Sequence, residues 1–472
     1  MTDDSLLLQG CADFAAGRLI RAEAAFRTLA TLRPKDSSAL SNLGGVLNAE
    51  HRHDEAEAVC RRALALTPDS WTAWANLGTA LHGRQQRPEA VAAYAEALRR
   101  NPDSVNVLTN LGVALAELGQ LKPALEAHNA AVALAPGDPE VHCNRALALL
   151  TAGDLAGGFA ENEWRWKAPF MLPHGLPGPE WPGGDVAGRR VLLHAEGGFG
   201  DTLQFVRYAP MLARRGAEVV LRVQKPLVRL LRRLEGLASV IAEEDALPPY
   251  DWRCPLLSLP HRFGTTLETV PADVPYLFAD RTRAESWRQR LAGQGRLVGL
   301  VWAGASRPGM PVAHAMDARR SLPLGAFAPL ARVPGVRLVS LQAGAAGQQP
   351  FLSEMKMINP MGTCADFDDT AAVVANLDLV ISVDTAVAHL AGGMGKPVWL
   401  LSRHDACWRW LHGRRDSPWY PGMRLYTQPA PGAWGPVLAE LERDLRAWTG
   451  QAEPEVSRAS PGVPACRCGF RS

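Results

Sequence analysis

Asn76-Leu77-Gly78 is preceded by Asn42-Leu43-Gly44 and followed by Asn110-Leu111-Gly112, so one tripeptide recurs every 34 residues (42, 76, 110). Other positions keep the same interval. Proline stands at Pro34, Pro68, Pro102 and Pro136, and glycine already at Gly10. Alanine occupies Ala22, Ala56, Ala90 and Ala124. A further register reads Phe26, Cys60, Tyr94 and His128, with Ala63, Ala97 and Ala131 three residues after the last three. Several registers holding one interval mark an internal repeat.

The spacing has a mechanical reading. A small residue in the first helix of each unit lets the second helix approach, and Ala in the second helix sits in that contact. The proline ends the unit, since it cannot continue a helix and biases its predecessor away from αR. Each helix pair leaves an apolar face that a neighbour must cover. The pattern resembles the tetratricopeptide (TPR) family over residues 6–136. A decayed fifth unit is expected to about 168, keeping Asn144 and Gly153 but with Gly158 in the Ala register. Glu163-Trp164-Arg165-Trp166 reads as its cap. Residues 1–168 are thus expected to form an α-solenoid.

Asn42, Asn76, Asn110 and Asn144 place one amide per repeat on the first helix. An amide offers both donors and an acceptor. It suits a bond to the neighbouring repeat, and equally a ladder along the concave side. A similar ladder in the TPR superhelix of O-GlcNAc transferase grips an extended polypeptide, which implies a protein or peptide partner here.

Lys+Arg number 50 and Asp+Glu 48, so no global field recruits nucleic acid or an anionic membrane. No stretch reaches about 18 apolar residues, and no transmembrane segment is expected. The N-terminus lacks the pattern of a signal peptide. The scattered cysteines form neither a disulfide framework nor a zinc site, so a cytoplasmic, bacterial protein is expected.

Pro169, Pro173, Pro177, Pro179 and Pro182 mark a linker over 169–188. Beyond it the period changes. Arg190–Ala195 reads as a strand, 202–215 as a helix and 217–223 as a strand. A second series begins near Arg296, with strands at 297–302, 336–342, 377–383 and 397–401 and helices at 324–331, 370–375 and 385–394. Such alternation predicts parallel, doubly wound sheets. Two α/β lobes are expected, 189–290 and 291–448. A closing helix spans 434–448, and a disordered tail covers 449–472.

Two loops carry candidate chemistry. In His194-Ala195-Glu196-Gly197-Gly198-Phe199-Gly200-Asp201, Gly198 and Gly200 admit a ligand close to the backbone, and Asp201 is either an N-cap or a reactive carboxylate. A dinucleotide site is not expected, because Leu203 replaces the third glycine and Leu221–Gln224 lacks a carboxylate. In Val383-Asp384-Thr385-Ala386-Val387-Ala388-His389, a strand runs straight into a helix. Thr385 and His389 share a face near its N-terminus, where free N–H groups suit a diphosphate. The alternative is a core histidine beside an ordinary cap.

At these residues the second module resembles the heptosyltransferase-like glycosyltransferases (family 9), with further support from Gly395-Lys396-Pro397-Val398. The resemblance covers most of 187–445. It implies the GT-B fold, a pair of Rossmann-like lobes around a cleft. It also implies Asp201 as general base and Asp384, Thr385, Ala386 and His389 around the donor diphosphate. The family commonly has Gly and Ser where this chain has Ala386 and Ala388. Arg320, at the end of a loop expected to be flexible from Gly304 to Arg319, is a further candidate for that charge. Gly304 is expected to line the cleft, and Gln342 to read the nucleoside. The implied reaction is inverting transfer from a nucleotide sugar, with no metal and no cofactor. A TPR interaction scaffold with an inactive transferase-like module is the alternative.

Overall fold

The computed structural model describes residues 3–450 except 170, 172–174, 306, 308 and 406. Pro173 of the expected linker and residues 451–472 of the expected tail lie outside the described residues.

Ten helices form the first third: α1 (Asp3–Ala15), α2 (Leu19–Leu32), α3 (Ser37–Ala49), α4 (His53–Leu66), α5 (Trp71–Gly83), α6 (Arg87–Arg100), α7 (Val105–Glu117), α8 (Leu121–Leu134), α9 (Pro139–Ala152) and α10 (Leu155–Asn162). The glycine and the large-residue registers are two halves of one contact. A Cβ placed on Gly78 would lie 2.6 Å from the Tyr94 ring, and one on Gly112 2.6 Å from the His128 ring. Gly44 faces Cys60 in the same way. Ala22, Ala56, Ala90 and Ala124 are completely buried. Each even-numbered helix from α2 to α8 ends two residues before a repeat proline.

A further register escaped the sequence reading. Asp36, Ser70, Ser104 and Asp138 are the N-caps of α3, α5, α7 and α9. Asp36, Ser70 and Asp138 accept first-turn N–H bonds, which satisfies donors a helix start otherwise leaves open. In the fifth unit, Gly158 makes room for Leu150, with 2.6 Å between a notional Cβ and Leu150 Cγ. A 3-10 turn over Glu163–Lys167 then closes the array.

The first lobe contains β1 (Arg190–His194), α11 (Phe199–Phe205), α12 (Tyr208–Arg214), β2 (Glu218–Val223), α13 (Lys225–Leu231), β3 (Leu237–Ala242), β4 (Trp252–Pro255) and α14 (Leu259–Arg262). Its parallel sheet has the order β3-β2-β1-β4. The single helix expected over 202–215 is two helices, because Pro210 has no N–H to continue the first one. A connecting helix, α15 (Arg281–Arg290), leads to the second lobe.

That lobe contains β5 (Arg296–Val301), α16 (Pro311–Arg320), α17 (Ala328–Ala331), β6 (Val336–Ser340), α18 (Phe367–Val374), β7 (Leu379–Val383), α19 (Ala386–Gly393), β8 (Val398–Ser402), β9 (Met423–Thr427) and α20 (Trp434–Trp448). Its sheet is parallel throughout, in the order β6-β5-β7-β8-β9. Every residue of β7 and β8 is buried, as befits strands covered on both faces. The flexible loop expected from Gly304 to Arg319 is corrected: most of it is α16. Pro311 stands in its first turn, where a missing N–H costs nothing, and Asp317 bonds both Arg307 and Arg320.

The lobes and the array meet at Phe159 of α10, which is 2% exposed. Its ring lies edge-on to Phe205 of the first lobe and to Trp408 and Trp419 of the second. Arg165, in the closing turn of the array, bonds Glu196 and Ser258 of the first lobe. Arg207 bridges the lobes, donating to the carbonyls of Pro271 at 2.9 Å and Trp419 at 2.8 Å.

Candidate functional site

The two sequence loops meet at one place. Gly200, in the first turn of α11, faces α19. A Cβ there would lie 3.0 Å from His389 Cδ2 and 3.6 Å from Ala386 Cα. The absent side chain at Gly200 lets the helices touch.

Asp201 is not the N-cap of α11; that position is Gly198, which is exposed. One carboxylate oxygen of Asp201 accepts the Gly198 N–H at 2.8 Å, and the other is held by the guanidinium of Arg409. Arg409 also donates to Gln204 Oε1 at 2.6 Å. Burial disfavours its charge, but Asp201, Cys407 and Asp384 together outweigh this and raise its pKa, so the guanidinium stays protonated.

Thr385 is the N-cap of α19, and its side chain makes no cap bond. Its hydroxyl pairs instead with Ser382 Oγ at 3.1 Å. The first turn is therefore not closed by its own cap side chain. His389 follows at i+4 but is only 4% exposed. Its Nδ1 lies 2.9 Å from the Tyr420 hydroxyl, and its ring stacks on Trp410 with centroids 5.4 Å apart. With Tyr420 as donor, the ring proton sits on Nε2, the edge nearer Gly200. Burial, and then the charges of Arg409 and Arg207, push its pKa well below the usual histidine range.

Arg320 Nη1 donates to the Asp384 carbonyl at 2.5 Å, joining the end of α16 to the turn after β7. Gly304 lies under this guanidinium; a Cβ there would stand 2.8 Å from Arg320 Nη2. Gln342 spends its amide on the backbone of its own lobe. Its oxygen accepts from the N–H groups of Trp302 and Ala303, and its nitrogen donates to the carbonyls of Ala303 and Ala343. It shapes the loop after β5, with no free edge for a nucleoside.

Sequence reading missed the segment Cys407–Trp410. Trp408 touches the Phe159 cluster, Arg409 holds Asp201, and Trp410 stacks on His389. Its only sequence signal is an alternation of Trp and Arg, which no helix or strand period explains.

The helical array has its own cavity of about 360 Å³, lined by Phe14, Asn42, Asn48, Asn76 and Thr79 among others. Asn76 donates to the Ser41 carbonyl at 2.8 Å, a bond between repeats. Asn144 donates to the Glu140 carbonyl within its own helix, and Asn110 is exposed. The ladder thus serves stacking at Asn76 and leaves Asn42 at the cavity.

A family model described as tetratricopeptide repeat matches residues 7–71 and 75–139. The helical array carries TPR repeats. Over 57% of its length the chain is 29% identical to protein FlbA of Caulobacter vibrioides, and it spans about half (48%) of that relative. The solved TPR protein TTC0263 of Thermus thermophilus is 23% identical, covering 36% of this chain and 93% of that one, with a TM-score of 0.33. PilF of Pseudomonas aeruginosa is 20% identical, covering 36% and 78%, with a TM-score of 0.33. Downstream of the TPR array stand the two parallel α/β sheets. Among the described residues no helix is long and apolar enough to cross a membrane, and no group of three or more His, Cys, Asp or Glu could hold a metal ion.

Proposed function

We propose that the chain is a nucleotide-sugar glycosyltransferase of GT-B type, acting on a polypeptide acceptor engaged by the TPR array. One observation carries the reading: Gly200 packs on His389, so the Asp201 turn and the start of α19 adjoin. Asp201 removes the proton from the acceptor nucleophile as it attacks the anomeric carbon. The open first turn of α19, with Thr385, His389 and Arg320, stabilises the departing nucleoside diphosphate. Displacement from the face opposite the leaving group inverts the anomeric centre. The test is incubation of the full chain and candidate acceptor proteins with a panel of nucleotide sugars, read by mass spectrometry. Mass added to an acceptor by the wild type and lost in Asp201→Asn supports the reading; hydrolysis without transfer counts against it.

A second reading is an interaction scaffold whose α/β module no longer transfers sugar. The Arg409 bond on Asp201 and the side chains at Ala386 and Ala388 favour it. Absence of both transfer and nucleotide-induced thermal stabilisation would select this reading.

A further inference from the structure

Away from that site, three guanidinium groups converge on one oxygen of Asp405. Arg87 comes from α6 of the array, Arg319 from the last turn of α16, and Arg403 from the residue after β8. Their nearest nitrogens lie 3.7, 3.2 and 3.5 Å from Asp405 Oδ2. Arg87 is 2% exposed and Arg403 8%. Arg87 also donates through Nε to Glu117 at 2.6 Å, and Glu117 in turn lies 2.8 Å from His82 Nε2.

The charges do not balance. Three guanidinium groups face two carboxylates, Asp405 and Glu117, with Glu117 shared by His82. The hydrogen bonds do not close either. Arg87 Nη1 and Arg319 Nε are buried without a hydrogen-bond partner among the protein atoms, and Arg403 Nη1 has only its 3.5 Å ion pair with Asp405. Buried N–H groups on charged side chains are ordinarily satisfied, since leaving them bare costs the full desolvation of the group. Arg319 is the most accessible member, with its side chain 31% exposed. Burial, followed by the like charges of Arg403 and Arg87, lowers its pKa.

We propose that Arg87, Arg319 and Arg403 form a binding site for a phosphate-class oxyanion, built jointly by the TPR array and the second lobe. Planar guanidinium forks match phosphate oxygens, and an anion would correct the surplus charge and occupy the bare N–H groups together. The site uses neither Asp201 nor Thr385 and does not depend on the transferase reading. The anion is either free inorganic phosphate or pyrophosphate, or the diphosphate of a nucleotide.

The test is titration of the full chain with sodium pyrophosphate at constant ionic strength, by calorimetry and by thermal melting. The expected result is a saturable component whose affinity falls at least about tenfold in Arg403→Gln and in Arg319→Gln, as loss of a charge-assisted fork requires, and which persists in Thr385→Val, separate from diphosphate binding at the start of α19. Arg319→Gln, at the accessible edge, serves if the buried variant fails to fold. Competition by a nucleoside diphosphate assigns the site to a nucleotide, and lack of competition assigns it to the inorganic anion. No binding, or binding lost in Thr385→Val but kept in both arginine variants, overturns the proposal.

Discussion

The carboxylate of Asp201, in the first lobe, accepts a hydrogen bond from the guanidinium of Arg409, in the second. The same carboxylate anchors the turn before α11 through the Gly198 N–H. Asp201 therefore ties the two lobes together while standing at the proposed reacting centre. These roles separate by substitution. Asp201→Asn keeps the shape and an acceptor oxygen, so the fold should persist. As the general base, its loss should lower single-turnover transfer by about 10²–10⁴-fold. Unchanged turnover removes it from that role.

His389 bears on pH dependence. Burial holds its pKa well below the ordinary value, so the ring is neutral and contributes an N–H rather than a full charge. Donor affinity should accordingly show no histidine step across about pH 6 to 8. The check is nucleoside diphosphate affinity measured along that range. A loss centred near the free histidine value would show that His389 titrates and binds as a cation.

His128 supplies a clearer sign. It is 1% exposed, and burial, with Arg145 nearby, lowers its pKa to about 4. Below about 6.5 the unfolded chain takes up a proton that the folded array refuses until about pH 4. Stability from this residue is present above about pH 6.5 and lost as pH falls towards 4, on the order of 3 kcal/mol in full. His128→Tyr copies Tyr94 of the preceding repeat and should flatten melting temperature over that window. A slope identical to wild type refutes the assignment.

Gly78 and Tyr94 test the repeat contact itself. A methyl on Gly78 would overlap the ring at 2.6 Å. Gly78→Ala should cost about 1–3 kcal/mol by overpacking. Adding Tyr94→Leu should recover part of that loss, because the obstructing ring is gone. Denaturant unfolding of the single and double variants decides, and purely additive losses would mean the two positions do not interact.

Much of this was legible in the residues. The 34-residue interval located the helix pairs, since each Gly must face a bulky partner. The strand-to-helix passage at Val383–Thr385 was visible because an apolar run gave way to small helix formers. The contact between Gly200 and His389 was foreseeable only as a shared cleft, because nothing local specifies it. Arg409 was not legible: its role depends on a loop after β8 reaching across to Asp201, 208 positions away in sequence. Gln342 was misread because its position at a strand end suited a ligand, while its partners were carbonyls and N–H groups of a neighbouring loop. The stretch from Gly304 to Arg319 read as a loop, and most of it is instead a helix opened by Pro311.

Phe159 has a consequence for anyone who would cut this protein in two. Its ring is the keystone on which array and both lobes lean, and excising residues upstream of the lobes would strip a greasy socket lined by Phe205, Trp408 and Trp419. The α/β half, expressed alone, should clump or demand detergent.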